Sequence, residues 1–169
     1  DWKFIKNFKQ TVEAHLKRGY KFVIITGGGK IARKYIEAAA KIDKINNDDK
    51  DWIGIHATRM NGHFLRTIFR KNAHLVINKN PNDTTDFVSF KKDILIAAGW
   101  KPGFSTDYDA VVLAKNLNVG QIINLSNVDF VYTKDPRKFS DARKLKNISW
   151  KEYRKLVGNK WNPGMNAPR

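Results

Sequence analysis

The sequence predicts an α/β sandwich on a largely parallel sheet. Short apolar runs rich in β-branched residues, typical of strands buried on both faces, alternate with segments whose apolar residues recur at helical spacing. Phe22–Ile25 and residues 93–98 are two such runs, and a glycine-containing loop follows each of them. Because 169 residues are enough to bury a substantial core, we expect a single domain over residues 1–169.

The chain opens on a predicted amphipathic helix over residues 2–17, and Gly19 supplies its stop. Its apolar face consists of Ile5, Phe8, Val12 and Leu16. Since this α/β domain opens on a helix, we expect that a first strand lies upstream of Asp1.

Helices and strands then alternate. The spacing predicts helices that reach Ile42 after the first glycine turn, that span 51–70 and that carry residues 110–117. It predicts strands at 73–77, 93–98 and 120–125, and a short segment around 87–90. A last helix begins at Ser149, where Glu152 completes a capping-box pattern, and ends near Gly158. The predicted links, turns and loops are residues 46–50, 80–83, 133–136 and 161–169.

Three consecutive glycines separate the first strand from its helix. Backbone without Cβ atoms bends sharply and brings its N–H groups close to an anion, and the helix dipole adds to this attraction. Arg33, one turn into the helix, adds a planar charged group. Gly27, Gly28 and Gly29 therefore predict a turn that approaches a phosphate. A tight strand-to-helix turn without a ligand is the alternative. On this helix the apolar residues at helical spacing are Ile31, Tyr35, Ala38 and Ile42.

The charge balance is strongly basic. The chain has 32 Lys and Arg against 16 Asp and Glu, a net charge of +16, which favours polyanionic partners such as nucleotides or RNA. The basic residues are scattered and are interpreted mainly as solvated faces, so a nucleic-acid partner is not expected. The chain has no cysteine, which excludes disulfides, and no apolar run approaches the length of a membrane span. The four histidines lack zinc-ligand spacing, and no metal site is predicted.

Three loops at predicted strand ends carry the polar and glycine residues, namely 26–33, 99–107 and 124–136. In open α/β sheets ligands bind beyond the carboxyl ends of the strands, so we expect these loops to line one crevice. The glycine turn matches neither the P-loop pattern nor the dinucleotide-binding fingerprint, which argues against a P-loop enzyme and a Rossmann dehydrogenase.

Four ordered segments, TGGGKIAR, DWIGIHATRMNGHFLR, GWKPGFSTDYDA and NLSNVDFVYTKDP, resemble the amino acid kinase family, and within it the uridylate (UMP) kinases. The resemblance covers essentially the whole chain. It implies a three-layer αβα sandwich with a mainly parallel central sheet, incomplete here at both ends. It also implies transfer of the γ-phosphoryl group of Mg-ATP to UMP in pyrimidine biosynthesis, a cytoplasmic location and a homo-oligomer, typically a hexamer.

The resemblance assigns roles to individual residues. Gly28 and Gly29 would lie between the acceptor and donor phosphates, with Arg33 neutralising charge there. Asp51 would bind the UMP ribose, and Asp107 would organise the catalytic groups. The loop that would wrap UMP consists of Gly99, Trp100, Lys101, Pro102, Gly103, Phe104, Ser105 and Thr106. The ATP site would include Ser126, Tyr132 and Asp135, with Mg²⁺ held mainly by the nucleotide phosphates.

Several of these residues also have a plainer explanation. Arg33 would be a solvated helix residue and Asp51 a helix cap. Ser105 and Thr106 would cap the helix that follows them, and Asp107 would be an acid favoured in a first helical turn. Tyr132 would be a residue that fills the hydrophobic core. Two other functions stay open: a different phosphotransferase of the same family, and a non-catalytic basic module that binds nucleic acid.

The chain departs from the family pattern at three places. From the family pattern we expect a lysine-glycine turn that holds ATP phosphates before Asp1 and a closing segment after Arg169, and neither is part of residues 1–169. Phe130 stands where the family usually has glycine and would crowd the nucleotide. We therefore expect weak or no turnover by this chain alone.

Overall fold

The computed structural model describes residues 1–83, 85, 91–125 and 130–158. Its helices are α1 (Trp2–Leu16), α2 (Gly29–Ile42), α3 (Asn47–Ile68), α4 (Thr106–Asn116) and α5 (Trp150–Val157). Its strands are β1 (Phe22–Ile25), β2 (Ile94–Ala97), β3 (Val131–Tyr132) and β4 (Lys144–Leu145). The chain divides into a first unit, Asp1–Ile122, and a second unit, Ile123–Arg169. The segments predicted around 87–90 and over 161–169 lie outside the described residues.

The first unit contains a parallel sheet with β2 at its centre. β1 pairs with β2 in parallel, with Phe22 opposite Ile94 and Ile25 opposite Ala97. On its other edge β2 forms parallel bridges to Ala73 and Asn78. All four residues of β2 are at most 1% exposed, as expected for a strand covered on both faces. The predicted α/β architecture with a parallel sheet is confirmed.

The main core packs α1 and α3 against this sheet. Its buried members are Val12, Leu65, Phe69, Ala73, Ile77, Ile94, Ile96 and Ala98. Phe8 and Phe69 meet edge to face, with ring centroids 6.0 Å apart. The predicted α1 helix is confirmed, and the Asp1 carboxylate caps it by accepting from the N–H of Lys3 at 2.9 Å. In the described ranges no helix combines the length and hydrophobicity needed to span a membrane.

Two predicted strands do not form. The 73–77 segment pairs only at its ends, because Val76 N–H donates to His74 Nδ1 and Arg66 Nε donates to the Leu75 carbonyl, so side chains replace ladder bonds there. Residues 120–125 pair with no strand in the described part of the chain, and Ile123 is 69% exposed. An apolar, β-branched run has strand propensity, but without a neighbouring ladder it stays irregular.

Helices α2 and α3 also differ from the prediction. α3 begins at Asn47, four residues early, because Asn46 accepts from the N–H of Asp49 and caps the helix. On α2 the buried residue is Ala32, and the predicted apolar face is exposed instead. The exposed fractions of Ile31, Tyr35 and Ile42 are 45%, 66% and 87%.

The second unit is described by itself. β3 and β4 form a short antiparallel pair, with Val131 opposite Leu145. The capping box predicted for α5 is confirmed: Ser149 Oγ accepts from the N–H of Glu152, and Glu152 Oε2 accepts from the N–H of Ser149.

Candidate functional site

Two loops follow the two paired strands and lie at the carboxyl ends of these strands, on the same side of the sheet. The glycine turn (residues 26–29) follows β1, and the acceptor loop (residues 99–105) follows β2. Because Ile25 is opposite Ala97 in a parallel pair, both loops leave the sheet at neighbouring points. Open α/β sheets bind their ligands beyond the carboxyl ends of the strands, which is where these loops lie. Helix α3 runs beside both loops and contacts each of them through side chains.

The glycine turn packs tightly against α3 at one residue. A Cβ on Gly28 would lie 2.7 Å from Ala32 Cβ and 3.2 Å from the Gly54 carbonyl oxygen. Gly29 has a φ of +63°, the left-handed region that favours glycine. Gly27 faces open space. The turn therefore needs glycine at Gly28 for close packing and at Gly29 for backbone conformation.

We expect Gly28→Ala to destabilise the chain by about 1–3 kcal/mol, because the added methyl group would overlap Ala32 Cβ on α2 and crowd the Gly54 carbonyl on α3. Gly27→Ala is the matched control, since its Cβ meets nothing within 4 Å. Urea unfolding of both variants measures the difference. Equal stability of the two variants would contradict the packing argument.

The N–H groups of Gly28 and Gly29 in the glycine turn have no hydrogen-bond acceptor in the described part of the chain. Asn61 Nδ2 donates to the Gly27 carbonyl at 2.7 Å, and the Gly28 carbonyl accepts from Ala32 N–H at 3.3 Å. In a planar trans peptide the N–H points opposite to the carbonyl, so the N–H groups of Gly28 and Gly29 face away from these partners. Neither group donates to an acceptor in the described part of the chain. They are available to an anion.

A buried hydrogen-bond network fixes the two loops to the same point of α3. Thr26 Oγ1 donates to the Thr58 carbonyl at 2.8 Å. Thr58 Oγ1 accepts from Gly99 N–H at 2.8 Å and donates to the Ile55 carbonyl at 2.6 Å. A Cβ on Gly99 would lie 3.0 Å from Thr58 Oγ1, so this position also requires close approach. The relative position of the glycine turn and the acceptor loop is therefore set by α3.

The acceptor loop is held at two further points. Arg59 Nη2 donates to the Trp100 carbonyl at 3.1 Å, and Asp109 Oδ2 accepts from Trp100 N–H at 3.2 Å. Asp51 Oδ2 accepts from Gly103 N–H at 2.8 Å. Asp109 is 1% exposed, and this burial raises the pKa of its carboxyl group to about 6.

Asp51 is not the cap of α3, since Asn46 has that role. Its carboxylate crosses to the acceptor loop, 52 residues away in the chain, and its second oxygen accepts no hydrogen bond within the described ranges. A carboxylate has about four acceptor positions, so Asp51 retains capacity for ligand hydroxyl groups.

The C-terminal end of the acceptor loop leads into α4. Ser105 caps this helix by accepting from Tyr108 N–H at 3.2 Å, and Thr106 and Asp107 are its first residues. Asp107 is exposed. The rings of Trp100 and Phe104 lie 4.9 Å apart, and Lys101 Nζ lies 4.1 Å from the Trp100 ring centroid. The loop thus contains a half-buried aromatic pair with a positive charge above the Trp100 ring.

Arg33 lies one turn into α2 and is exposed. No salt bridge joins it to an acidic side chain in the described part of the chain. The predicted ATP-site residues Tyr132 and Asp135 belong to the second unit. There the Asp135 carboxylate accepts from Arg137 Nε at 3.1 Å and from Nη2 at 3.2 Å, which lowers the pKa of Asp135. Ser126 lies outside the described residues.

Phe130, also in the second unit, is 40% exposed. The Lys144 ammonium group lies over its ring, 3.2 Å from the ring centroid. This is a cation–π contact within the unit. Among the described side chains no cluster of three or more His, Cys, Asp or Glu could hold a metal ion.

Within the first unit the structure brings together Gly28, Gly29, Asp51 and the acceptor loop. The residues that sequence reasoning missed are Thr58, Arg59, Asn61 and Asp109. A signal for part of this set was present: Asp51, Ile55, Thr58 and Gly62 recur at helical spacing, and all four are buried or half-buried on α3. No comparable periodicity marks Arg59 or Asp109.

Comparisons with known proteins agree on one family. Residues 2–167 match the amino acid kinase family. The chain is 38% identical to the uridylate kinase of Pyrococcus abyssi over 145 residues, covering 82% of this chain and 61% of the relative. It is 35% identical to that of Thermococcus sibiricus over 149 residues, covering 88% and 65%. The chain thus spans less than two thirds of the length of these relatives.

A solved structure gives the same result for the fold. The crystal structure of uridylate kinase from Archaeoglobus fulgidus is similar with a TM-score of 0.79 and 28% sequence identity. The similarity covers 99% of this chain and 76% of that one.

Proposed function

Because the chain belongs to the amino acid kinase family, we propose that it carries the acceptor half of a uridylate kinase, which transfers the γ-phosphoryl group of ATP to UMP and yields UDP. The observation that best supports this is the pair of N–H groups of Gly28 and Gly29, which have no acceptor in the described part of the chain and lie beside a loop held by Asp51. The similar proteins in Pyrococcus and Thermococcus are named uridylate kinases.

We propose the following arrangement for the acceptor. The UMP phosphate binds the N–H groups of Gly28 and Gly29 at the start of α2, and Arg33 adds a charged donor. The ribose hydroxyls donate to the free capacity of the Asp51 carboxylate. The acceptor loop and Thr106 enclose the base.

Phosphoryl transfer depends on positioning and on stabilising the charge that spreads over the phosphate oxygens. We propose that Gly29 and Arg33 serve both phosphates and that Asp107 organises the groups around the transferred one. Ser126, Tyr132 and Asp135 are proposed for ATP. Mg²⁺ would neutralise phosphate charge when bound with ATP.

We further propose a cytoplasmic location and a homo-oligomer of up to six copies. The homo-oligomer is supported by the exposed apolar residues of α2, since Tyr35 and Ile42 are 66% and 87% exposed. Sedimentation velocity of the chain tests it, and a monomer at micromolar concentration would contradict it.

Isothermal calorimetry with UMP and, separately, with Mg-ATP tests the proposed function. We expect UMP to bind, and Asp51→Ala to weaken it about tenfold or more, because one charged hydrogen-bond acceptor for the ribose is lost. Asp49→Ala is the matched control, an acid in the first turn of the same helix. If UMP does not bind, or if RNA binds instead with steep salt dependence, the proposal is wrong.

A further inference from the structure

The peptide group between Gly99 and Trp100 is held from two opposite sides. Its carbonyl accepts from Arg59 Nη2 at 3.4 Å, and its N–H donates to Asp109 Oδ2 at 3.2 Å. Because the carbonyl and the N–H of a trans peptide point in opposite directions, Arg59 and Asp109 approach the loop from opposite sides. Arg59 also reaches the next carbonyl, that of Trp100, at 3.1 Å.

The two charged side chains bind the loop and not each other. No salt bridge joins Arg59 to Asp109 within the described ranges. Arg59 Nε and Asp109 Oδ1 are both buried without a hydrogen-bond partner among the described residues. Buried charged groups with unsatisfied atoms destabilise a fold, so stability does not explain their presence. Their effect is on the loop backbone that they contact.

The loop held in this way is the one that we propose encloses UMP. Three residues further on, Asp51 Oδ2 accepts from Gly103 N–H at 2.8 Å. Trp100 and Phe104 flank the stretch between these attachment points in the sequence, their rings are 4.9 Å apart, and Lys101 within the stretch places its ammonium group 4.1 Å from the Trp100 ring centroid. A shift of the first attachment point would therefore move both the aromatic pair and the N–H that Asp51 holds.

We propose that Arg59 and Asp109 are positioning residues, which fix the Gly99–Trp100 peptide group and so set the affinity of the acceptor loop for a nucleoside monophosphate. Neither is assigned a contact with the substrate. The inference rests on the proposed function for the identity of the ligand, whereas the holding of the loop can be measured without any ligand.

The first experiment measures amide hydrogen exchange of the acceptor loop by NMR in the full chain without nucleotide. Asp109→Leu keeps the side-chain size and removes the acceptor for Trp100 N–H. We expect exchange at Trp100 to be at least about tenfold faster, with a smaller increase at Gly103, because one buried hydrogen bond is lost. Asp109→Asn retains an oxygen acceptor and is expected to restore protection.

Two matched controls separate this role from general destabilisation. Asn116→Leu removes a bond from the same helix, where Nδ2 donates to the Pro81 carbonyl at 2.8 Å. Arg66→Met removes a bond from α3 to the Leu75 carbonyl and is compared with Arg59→Met. Loop exchange that is unchanged in the Asp109→Leu and Arg59→Met variants, or equally faster in the controls, would overturn the inference whether or not UMP binds.

The second experiment measures the Kd of UMP by calorimetry with the same variants. We expect Asp109→Leu and Arg59→Met to raise the Kd of UMP about five- to tenfold and to leave the Kd of Mg-ATP unchanged. The Asp109→Asn variant is expected to bind UMP with nearly the same Kd as the unaltered chain. Faster loop exchange without a change in the Kd of UMP would overturn the link to affinity. If the unaltered chain does not bind UMP, the proposed function fails, and the exchange result still decides whether these residues hold the loop.

Discussion

Asp109→Asn is expected to stabilise the chain at pH 7.5 by up to about 3 kcal/mol. Burial raises the pKa of Asp109 from 3.8 to about 6, so the Asp109 carboxyl group binds a proton more tightly in the folded state than in the unfolded state. The stability that this group contributes is fully present below pH 4 and is lost as the pH rises through about 6. Asparagine carries no charge and keeps an acceptor for Trp100 N–H, so the variant does not lose the stability that the unaltered chain loses when Asp109 ionises.

Urea unfolding at pH 5 and pH 7.5 measures this effect. We expect the advantage of Asp109→Asn over the unaltered chain to be larger at pH 7.5 than at pH 5. Asp48→Asn, which removes an exposed carboxylate in the first turn of α3, is the control and should show no such difference. An advantage that is absent or independent of pH would contradict the assignment of the buried charge.

Arg33→Met is expected to weaken UMP binding by about 10- to 100-fold. A charge-assisted hydrogen bond to phosphate contributes about 1.5–3 kcal/mol, and Arg33 lies one turn after the N–H groups of Gly28 and Gly29, which have no acceptor in the described part of the chain. Lys34→Met is the matched control, because it removes the same charge from the adjacent exposed position. A general loss of positive potential would affect the two variants equally, whereas a specific contact would affect only Arg33.

Uridine provides a second control for this prediction. Uridine lacks the phosphate, so calorimetry should show the same affinity for uridine in the Arg33→Met variant and in the unaltered chain. Loss of uridine binding in this variant would indicate a disturbed acceptor loop and not a lost phosphate contact. Equal effects of Arg33→Met and Lys34→Met on UMP would support the interpretation of Arg33 as a solvated helix residue.

Features that depend on neighbouring residues were predictable. The capping box at Ser149 and Glu152, the helix α1 and the glycine turn follow from hydrogen bonds or backbone conformations spanning a few positions. The start of α3 was predicted wrongly although its signal is equally local, since Asn46 followed by Asp48 and Asp49 is an ordinary helix start.

Features that depend on distant residues were not predictable. On α2 two apolar stripes compete, one with Ala32 and one with Ile31 and Tyr35. Ala32 is buried beside Gly28, at the point where a Cβ on Gly28 would also meet the Gly54 carbonyl of α3, and the other stripe is exposed. Residues 120–125 have the composition of a strand, but a strand needs a partner that composition does not reveal.

By itself the sequence determined the α/β class, the two loops beyond parallel strands and the glycine residues of the first loop, because periodicity and backbone freedom are properties of short segments. Only the tertiary structure decided that Asp51 reaches Gly103 and that Arg59 and Asp109 hold the Gly99–Trp100 peptide group from opposite sides. The bonds from Asp51 and Arg59 join residues 40 or more positions apart, and Asp109 reaches back 9 positions from a helix into the loop before it. Such contacts form only when the packing of α3 and α4 around the sheet brings the partners together.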